Sequence, residues 1–226
     1  ELAKLASNAM LAQRISSINS LSALCEKTGA DIDELSKAIG MDHRIGPKFL
    51  RSSVGFGGSC FKKDILNLVY LCKYYSLNEI ADYWHNVVKI NDYKKNHFAQ
   101  KIINGLDGDI EGKKITILGW AFKPNTNDSR ESPAIEVTKI LFDAGAIIDI
   151  YDPMVKSQKI IEDIENNWNI SIDLKKIKIL KNLLEIDDET KAIAVISEWE
   201  VFKKIDLSKY QLFEARKFLQ KSNSKS

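Results

Sequence analysis

A thiol and a carboxylate stand one helical turn apart at the start of a predicted helix. Cys60 follows three glycines in the stretch VGFGGSCFKKD (54–64), and Asp64 comes four residues after it. The first turn of a helix offers unpaired backbone N–H groups and the positive end of the helix dipole, which favour an anionic sulfur. A carboxylate on the same face could hold or deprotonate a water. The pattern indicates a nucleophile site, where glycines let a substrate approach the backbone beside the sulfur.

A purely structural interpretation of this stretch stays open. Glycines before a helix can form a turn and nothing more, and Cys60 could then be a small buried hydrophobe. We interpret Cys25 and Cys72 in that way, because both lie inside apolar helical stretches.

Lys4 and Asn8 form a second candidate pair. They stand at i and i+4 of a predicted helix, and therefore lie on one face of it. An ammonium and an amide so arranged can stabilise an oxyanion and orient a water or hydroxyl. The alternative is a solvated Lys–Asn pair without function.

The third candidate is the loop in ILGWAFKPNTNDSRES (117–132). It has only Gly119 in place of the G-x-G-x-x-G of a dinucleotide site. It nevertheless joins a predicted strand to a helix N-terminus, where phosphate-bearing ligands bind. Lys123 and Arg130 could supply the cations, so this loop predicts a nucleotide pocket of modified design.

Two hydrophobic patterns divide the chain. Helical periodicity predicts helices over 1–28, 31–40, 60–77 and 78–106, with a turn-rich loop over 41–59. Further on, strands are predicted over 114–119, 146–153, 191–197 and 210–215, and helices over 132–145 and 156–167. The apolar face of the first helix is assigned to Leu2, Leu5, Ile15, Ile18, Leu21 and Leu24.

These elements predict an α/β protein with two domains. Residues 1–110 would form an all-helical central domain with a long spine helix, which would also carry dimerisation and catalytic residues. Residues 111–220 would form a Rossmann-like, doubly wound parallel sheet, and 221–226 a disordered tail.

Composition excludes several classes of protein. The chain has 226 residues, of which 44% are hydrophobic, and this is enough for a proper core. A net charge of +2 does not show the excess of basic residues that is typical of nucleic-acid-binding proteins. No apolar run approaches the roughly 20 residues that span a bilayer, and a signal-peptide pattern is absent, so we expect no membrane association and a cytoplasmic setting. The three cysteines and three histidines show no ligand spacing, so neither a disulfide framework nor a metal site is expected.

Four stretches together resemble the nucleotide-sugar dehydrogenases of the UDP-glucose/GDP-mannose dehydrogenase family, most closely the eukaryotic type that oxidises UDP-glucose. GFGGSCFKKD with K-x-x-x-N placed 56 residues upstream is the specific combination. The likeness runs to about residue 219 and weakens between 155 and 190. The matching stretches are 1–31, 40–72, 83–102 and 117–132.

The resemblance implies an NAD-dependent oxidoreductase of nucleotide-sugar metabolism. Such an enzyme oxidises the C6 alcohol of UDP-glucose to the carboxylate of UDP-glucuronate, through an aldehyde, a cysteine thiohemiacetal and a thioester, with two NAD. By this likeness Cys60 would capture the aldehyde and Asp64 would activate the hydrolytic water. Lys4 and Asn8 would stabilise negative charge and hold that water.

The resemblance also implies binding residues. Those for the UDP-sugar are Arg44, Phe49, Arg51, Gly55, Phe56, Gly57, Phe122, Lys123 and Arg216. Lys63 and Arg130 would contact NAD, the implied cofactor. Arg44 would reach into the active site of a neighbouring subunit, which implies a homo-oligomer, at least a dimer.

Two departures from the family pattern leave alternatives open. The motif around Arg216 reads Glu-Ala-Arg-Lys where an aspartate and a glycine are usual. The family's N-terminal Rossmann domain, with most NAD contacts, precedes the stretch at which the likeness starts, and activity of this chain alone is left open. A non-catalytic nucleotide-sugar-binding or oligomerisation module is one alternative. A dehydrogenase of GDP-mannose or a UDP-N-acetylhexosamine is another, because selectivity for base and C2 depends on pocket shape.

Overall fold

A computed structural model describes residues 1–168 and 176–219. The chain groups into two compact units, Glu1–Lys94 and the part from Lys95 onward. This division falls inside the long helix, whereas the domain boundary at residue 110 stays a prediction. The predicted disordered tail, 221–226, lies outside the described residues.

The predicted helices of the first part are confirmed. They are α1 (Leu2–Thr28), α2 (Ile32–Gly40), α3 (Phe61–Tyr74) and α4 (Asn78–Gly105). Gly29 ends α1 in a left-handed conformation at φ 77°. Asp31 caps α2 by accepting hydrogen bonds from the N–H groups of Asp33 at 2.7 Å and Glu34 at 3.2 Å. The turn-rich segment 41–59 contains no helix or strand.

The buried face of α1 differs from the prediction. Leu2, Leu21 and Leu24 are 63%, 38% and 60% exposed, so their assignment to the core face is wrong. Leu5 and Ile15 are partly buried, and the predicted burial of Ile18 is confirmed. Small and polar residues are buried on this helix instead, namely Ala9, Ala12, Ser16, Asn19 and Ser22. Small side chains allow close packing of the neighbouring helices, and Ala9 and Ala12 share a core with Ile65 and Val69 of α3.

The second unit contains a five-stranded parallel sheet among its described residues. Its order is β3-β2-β1-β4-β5, the arrangement of doubly wound nucleotide-binding folds, so the predicted α/β class is confirmed. The strands are β1 (Lys114–Leu118), β2 (Ile147–Tyr151), β3 (Ile177–Ile179), β4 (Thr190–Val195) and β5 (Gln211–Glu214). Helices α5 (Pro133–Asp143) and α6 (Ser157–Trp168) follow β1 and β2. The three-residue β3 was not predicted.

The carboxyl ends of β1, β2 and β4 lie at one edge of this sheet, because these neighbouring strands are parallel. Gly119, Asp152 and Ser197 follow those three ends closely. Ile115, Ile117, Ile148 and Ile150 are fully buried in the centre of the sheet. A rigid apolar sheet therefore carries polar side chains at its edge. Within the described ranges, no helix is both long and apolar enough to cross a bilayer.

Candidate functional site

Cys60 is the N-cap residue of α3, and its side chain is exposed. Its carbonyl oxygen accepts the N–H of Asp64 at 2.8 Å, which starts the helix at the cysteine as predicted. The Ser59 hydroxyl oxygen lies 3.8 Å from the sulfur. Cys25 and Cys72 are buried, so the interpretation as a buried hydrophobe holds for those two cysteines and not for Cys60.

Asp64 and Asn8 meet across two helices. The Asn8 side-chain N–H donates to Asp64 Oδ2 at 2.6 Å, and the aspartate is only 7% exposed. The solvated-pair interpretation therefore does not hold for Asn8. Lys4 stands one turn earlier on the same face of α1 and is exposed. A half-buried amide thus holds a carboxylate one helical turn from the thiol, an arrangement that can position a water or a reacting oxygen.

Two buried asparagines hold the loop that leads to Cys60. Asn19 Oδ1 accepts the N–H of Ser53 at 2.8 Å and the hydroxyl of Ser52 at 3.2 Å. Asn91 Oδ1 accepts the N–H of Phe56 at 2.7 Å, and its amide donates to the Phe56 carbonyl at 3.1 Å. Sequence reasoning missed both asparagines. Their position among buried residues of α1 and α4 was the available signal, because a buried amide must find hydrogen-bond partners.

The structure explains why a glycine and a phenylalanine occupy positions 55 and 56 of this loop. Gly55 has φ 129°, and a Cβ at this position would lie 2.8 Å from Asn91 Oδ1. The Phe56 ring is 7% exposed and packs edge-on against Phe61, with 5.7 Å between ring centroids. Gly57, also predicted for the substrate, is partly exposed. Contact of this loop with a sugar nucleotide stays a prediction.

Other predicted residues of the helical unit lie on exposed stretches. The Arg44 guanidinium pairs with Asp42 at 2.6 Å and holds the pKa of that carboxyl below its usual range. Phe49 has φ 60° and is 44% exposed, and Arg51 is exposed as well. Lys63 is exposed in the first turn of α3, three residues from Cys60. Their roles stay predictions.

Asp152 organises the predicted nucleotide loop at the sheet edge. This carboxylate is 8% exposed and follows β2 directly. Its Oδ2 accepts the N–H groups of Trp120 at 2.7 Å and Ala121 at 3.0 Å, and its Oδ1 accepts those of Met154 at 2.8 Å and Val155 at 2.9 Å. One buried carboxylate thereby joins the turns after β1 and β2.

Asp163 of α6 holds both ends of the loop 119–130. It accepts the indole N–H of Trp120 at 3.0 Å and the hydroxyl of Ser129, and it pairs with Lys159 at 2.8 Å. The carboxylate raises the pKa of Lys159 through this bond. Since Asp163 is 6% exposed, its bonds to Trp120 and Ser129 are shielded from water, whereas the Lys159 side chain is 45% exposed. The sequence analysis missed both Asp152 and Asp163.

The turn after β1 also contacts Ser197, which follows β4. The Ser197 hydroxyl donates to the carbonyl of Ala121. Gly119 has φ 94°, and a Cβ there would lie 2.7 Å from the Ser197 backbone nitrogen. The single glycine that the sequence retains is therefore required by this close approach of two backbones.

The predicted cations of the second unit have acidic or aromatic neighbours. Lys123 Nζ lies 5.3 Å from the centroid of the Phe122 ring. Arg130 pairs with Asp128 at 2.7 Å, which lowers the pKa of that carboxyl. Arg216 Nη1 donates to Glu198 Oε2 at 3.0 Å. The ligand roles of Lys123, Arg130 and Arg216 stay predictions. No cluster of metal-binding side chains occurs in 1–168 or 176–219.

The sheet order and the ordered turns at its carboxyl edge define an α/β protein of the nucleotide-binding class. The helical unit adds an exposed thiol one helical turn from a carboxylate. Family models agree with this class. Residues 1–93 match the UDP-glucose/GDP-mannose dehydrogenase family, central domain, and residues 116–220 match the UDP binding domain of the same family. The chain belongs to the UDP-glucose/GDP-mannose dehydrogenase family.

Curated relatives and solved structures agree with this assignment. The chain is 52% identical over 209 residues to UDP-glucose 6-dehydrogenase of Mus musculus, covering 91% of this chain and 42% of that protein. It is 48% identical over 220 residues to UDP-glucose 6-dehydrogenase 2 of Arabidopsis thaliana, with coverage of 92% and 46%. A UDP-glucose dehydrogenase from the hyperthermophilic archaeon Pyrobaculum islandicum matches with a TM-score of 0.82 at 28% identity, over 97% of this chain and 48% of that one. The chain spans less than half the length of these relatives.

Proposed function

We propose that this chain supplies the nucleophile and the UDP-sugar half of the active site of an NAD-dependent UDP-glucose 6-dehydrogenase. The observation that carries the proposal is the exposed Cys60 at the start of α3, one turn from the Asn8–Asp64 pair. The product would be UDP-glucuronate. Relatives of that name at about half sequence identity support this choice of substrate.

The proposed chemistry takes place on Cys60. The C6 alcohol is oxidised to an aldehyde, and the thiolate adds to the aldehyde carbon to give a thiohemiacetal. Loss of a second hydride converts this adduct to a thioester, and water then breaks the C–S bond to release the carboxylate and the thiol. NAD, when bound, supplies the hydride acceptor, and two equivalents are consumed.

Asp64 and Asn8 would act in the hydrolytic step. The carboxylate accepts a proton from the attacking water, and the amide bond at 2.6 Å keeps that carboxylate in place. Lys4 lies on the same face of α1 as Asn8, so its ammonium would stabilise the negative charge that develops on the substrate oxygen.

The substrate would lie against backbone of the loop 51–57, with Arg51, Gly55, Phe56 and Gly57 lining it and Phe49 close by. At the sheet edge, Phe122, Lys123 and Arg216 would contact the UDP portion. This assignment is supported by the UDP binding domain that matches residues 116–220.

The loop after β1 does not offer a full dinucleotide cradle. It has one glycine, and the N–H groups of Trp120 and Ala121 are already bonded to Asp152, so they are not available to a pyrophosphate. From the described residues, Lys63 and Arg130 would contact NAD only as peripheral cations. The main NAD contacts would come from an N-terminal domain such as the family possesses.

We also propose a homo-oligomer, at least a dimer, in a cytoplasmic setting. Arg44 has a side chain that is 79% exposed, which suits a residue that reaches a neighbouring active site. Leu2, Met10 and Leu24 of α1 are each more than half exposed, and an oligomer would cover such residues. Unpaired Cys25, Cys60 and Cys72 fit a reducing compartment.

An NADH-release assay tests the proposal. The chain is joined to the N-terminal NAD-binding domain of a UDP-glucose 6-dehydrogenase and supplied with UDP-glucose. We expect NADH and UDP-glucuronate from the joined protein, loss of UDP-glucuronate in Cys60→Ser, and retention in the control Cys72→Ala, whose thiol is buried in the same helix. Unchanged UDP-glucuronate from Cys60→Ser would refute covalent catalysis.

Calorimetry tests the substrate separately. We expect the chain to bind UDP-glucose more tightly than GDP-mannose or UDP-N-acetylglucosamine. Tighter binding of either competitor would move the protein to another activity of the same family. UDP-glucose binding without any NADH release from the joined protein would identify a nucleotide-sugar-binding module.

A further inference from the structure

The segment between α2 and α3 contains no helix or strand, and side chains of the neighbouring helices bond part of its backbone. Arg14 donates to the carbonyls of Gly46 at 2.8 Å and Lys48 at 2.7 Å. Ser36 donates to the carbonyl of Leu50. Asn19 bonds residues 52–53, and Asn91 bonds Phe56. Buried backbone groups must be bonded, and here helices α1, α2 and α4 provide the partners.

The Asn91 contact differs from the others because one side chain bonds both the backbone N–H and the backbone carbonyl of the same residue, Phe56. Its Oδ1 accepts the Phe56 N–H at 2.7 Å, and its Nδ2 donates to the Phe56 carbonyl at 3.1 Å. Two residues paired in an antiparallel sheet exchange the same two bonds. A primary amide can play this part because it carries an acceptor and a donor side by side, whereas a carboxylate or a hydroxyl offers a different set.

The surroundings of Asn91 make its contact with Phe56 costly to break. Asn91 is 1% exposed, so breaking the pair would leave buried polar groups without partners. A side chain on Gly55 would collide with its Oδ1. Phe56 lies four residues before Cys60, and the backbone between them contains Gly57 and Gly58. Asn91 therefore bonds the loop close to the thiol in sequence.

We infer that Asn91 is a positioning residue for the proposed reaction. Its amide makes the two hydrogen bonds with Phe56 that a paired strand would make. It thereby fixes the conformation of the backbone that would line the sugar nucleotide and that leads to Cys60. Asn19 performs the matching task at Ser53, seven residues before the cysteine. The part that concerns UDP-glucose rests on the proposed function, whereas the part that concerns the loop does not.

Residue-resolved hydrogen exchange on the full chain tests the contact itself. Loss of the bond in Asn91→Ala should accelerate exchange of the Phe56 amide by about tenfold or more, the factor that corresponds to about 1.4 kcal/mol. The Ser53 amide should keep its protection. Asn19→Ala should give the reverse result, with Ser53 accelerated and Phe56 unchanged. General destabilisation would accelerate both amides in both variants, and that outcome would overturn the inference.

Asn91→Asp provides a second variant in case the alanine variant does not fold. It retains an acceptor for the Phe56 N–H but sets a second oxygen against the Phe56 carbonyl. We expect its Phe56 amide to exchange faster than in the parent chain and slower than in a folded Asn91→Ala. Parental exchange in Asn91→Asp would refute the two-bond pairing.

Alkylation and ligand binding test the positioning role. We expect the rate at which iodoacetamide modifies Cys60 to change about threefold or more in Asn91→Ala and Asn91→Asp, because both reactivity and access depend on the local backbone. The dissociation constant for UDP-glucose should rise by about tenfold. Asn86→Ala is the control, since Asn86 is an exposed residue of the same helix, and it should change neither quantity.

The outcomes separate this inference from the proposed function. If the parent chain does not bind UDP-glucose, the proposed substrate is wrong, and the exchange and alkylation results still decide the role of Asn91. If Phe56 exchange accelerates while Cys60 alkylation and UDP-glucose binding stay at parental values, Asn91 stabilises the loop without positioning the site, and the inference is wrong.

Discussion

Asp152→Asn should destabilise the sheet unit although it changes only one terminal group. The Asp152 carboxylate accepts four backbone N–H bonds, two on each oxygen, from Trp120, Ala121, Met154 and Val155. Asparagine has the same shape, but one of its two terminal groups is an NH₂, which cannot accept. Whichever way the amide turns, two N–H groups at a site that is 8% exposed lose their acceptor.

The size of the effect follows from those two bonds. A buried donor left unpaired costs about 1–3 kcal/mol, so two of them give about 2–6 kcal/mol before relaxation. We expect a loss of about 3 kcal/mol in the free energy of unfolding after the turn relaxes. For a unit of this size the midpoint temperature should fall by about 10 °C. Urea unfolding and scanning calorimetry of the full chain would measure both quantities.

Asp109→Asn is the matched control. Asp109 is exposed, and its Oδ1 accepts a single bond, from the N–H of Glu111 at 3.2 Å. An asparagine carbonyl can retain that bond, so the control should change stability by less than about 0.5 kcal/mol. An equally small effect of Asp152→Asn would refute the reasoning that this carboxylate holds the turns after β1 and β2 together.

Three further substitutions test other parts of the structure. Burial raises the pKa of Asp149 in the fold, so ionisation of this carboxyl destabilises the folded state as the pH rises from the ordinary aspartate pKa through the raised one. Asp149→Asn removes that cost, and its gain in the free energy of unfolding should therefore be larger at pH 7 than at pH 4. Equal gains at the two pH values would contradict this explanation. Gly119→Ala should lower the free energy of unfolding, measured by thermal unfolding, by about 2 kcal/mol or more. The control Gly108→Ala, at φ 79° with open space around it, should lower it by only about 1 kcal/mol. Equal losses would mean that the close approach of Ser197 to Gly119 is unimportant. Asn8→Asp would set a second carboxylate 2.6 Å from Asp64, so its loss of stability in urea should be greater at pH 8 than at pH 5, and a loss independent of pH would exclude charge repulsion as its cause.

Local signals in the sequence were sufficient for most of the fold. Gly29, Asp31 and the pair Ser132–Pro133 mark helix ends, and the structure shows the caps that these residue types predict. The strands of the sheet are short apolar runs bounded by turns, except for Ile177–Ile179, which is too short to show a pattern. Cap chemistry and periodicity depend only on neighbouring residues, so the sequence contains them directly.

The supports of the candidate site could not be predicted in the same way. Asn91 and Phe56 are 35 positions apart, and Asp152 and Trp120 are 32 apart, so their pairing depends on the packing of whole elements. Likewise, the leucines of α1 suggested a core face, but the core accepts Ala9 and Ala12 because α3 packs close to them. Cys60, Asp64 and Asn8 were found because two of them share one helical turn and the third belongs to a specific family pattern.

In both units, buried polar side chains order a loop that has no regular secondary structure. Each candidate site is a loop without regular structure, and a bare loop would have many backbone conformations to lose on ordering. In the helical unit the buried amides of Asn19 and Asn91 bond the loop backbone, and in the sheet unit the buried carboxylates of Asp152 and Asp163 hold the loop after β1. Because these side chains lie on helices or directly after a strand, they transfer the rigidity of those elements to the loops. Both loops are thereby ordered before any ligand arrives, which lowers the entropy cost that ligand binding would carry.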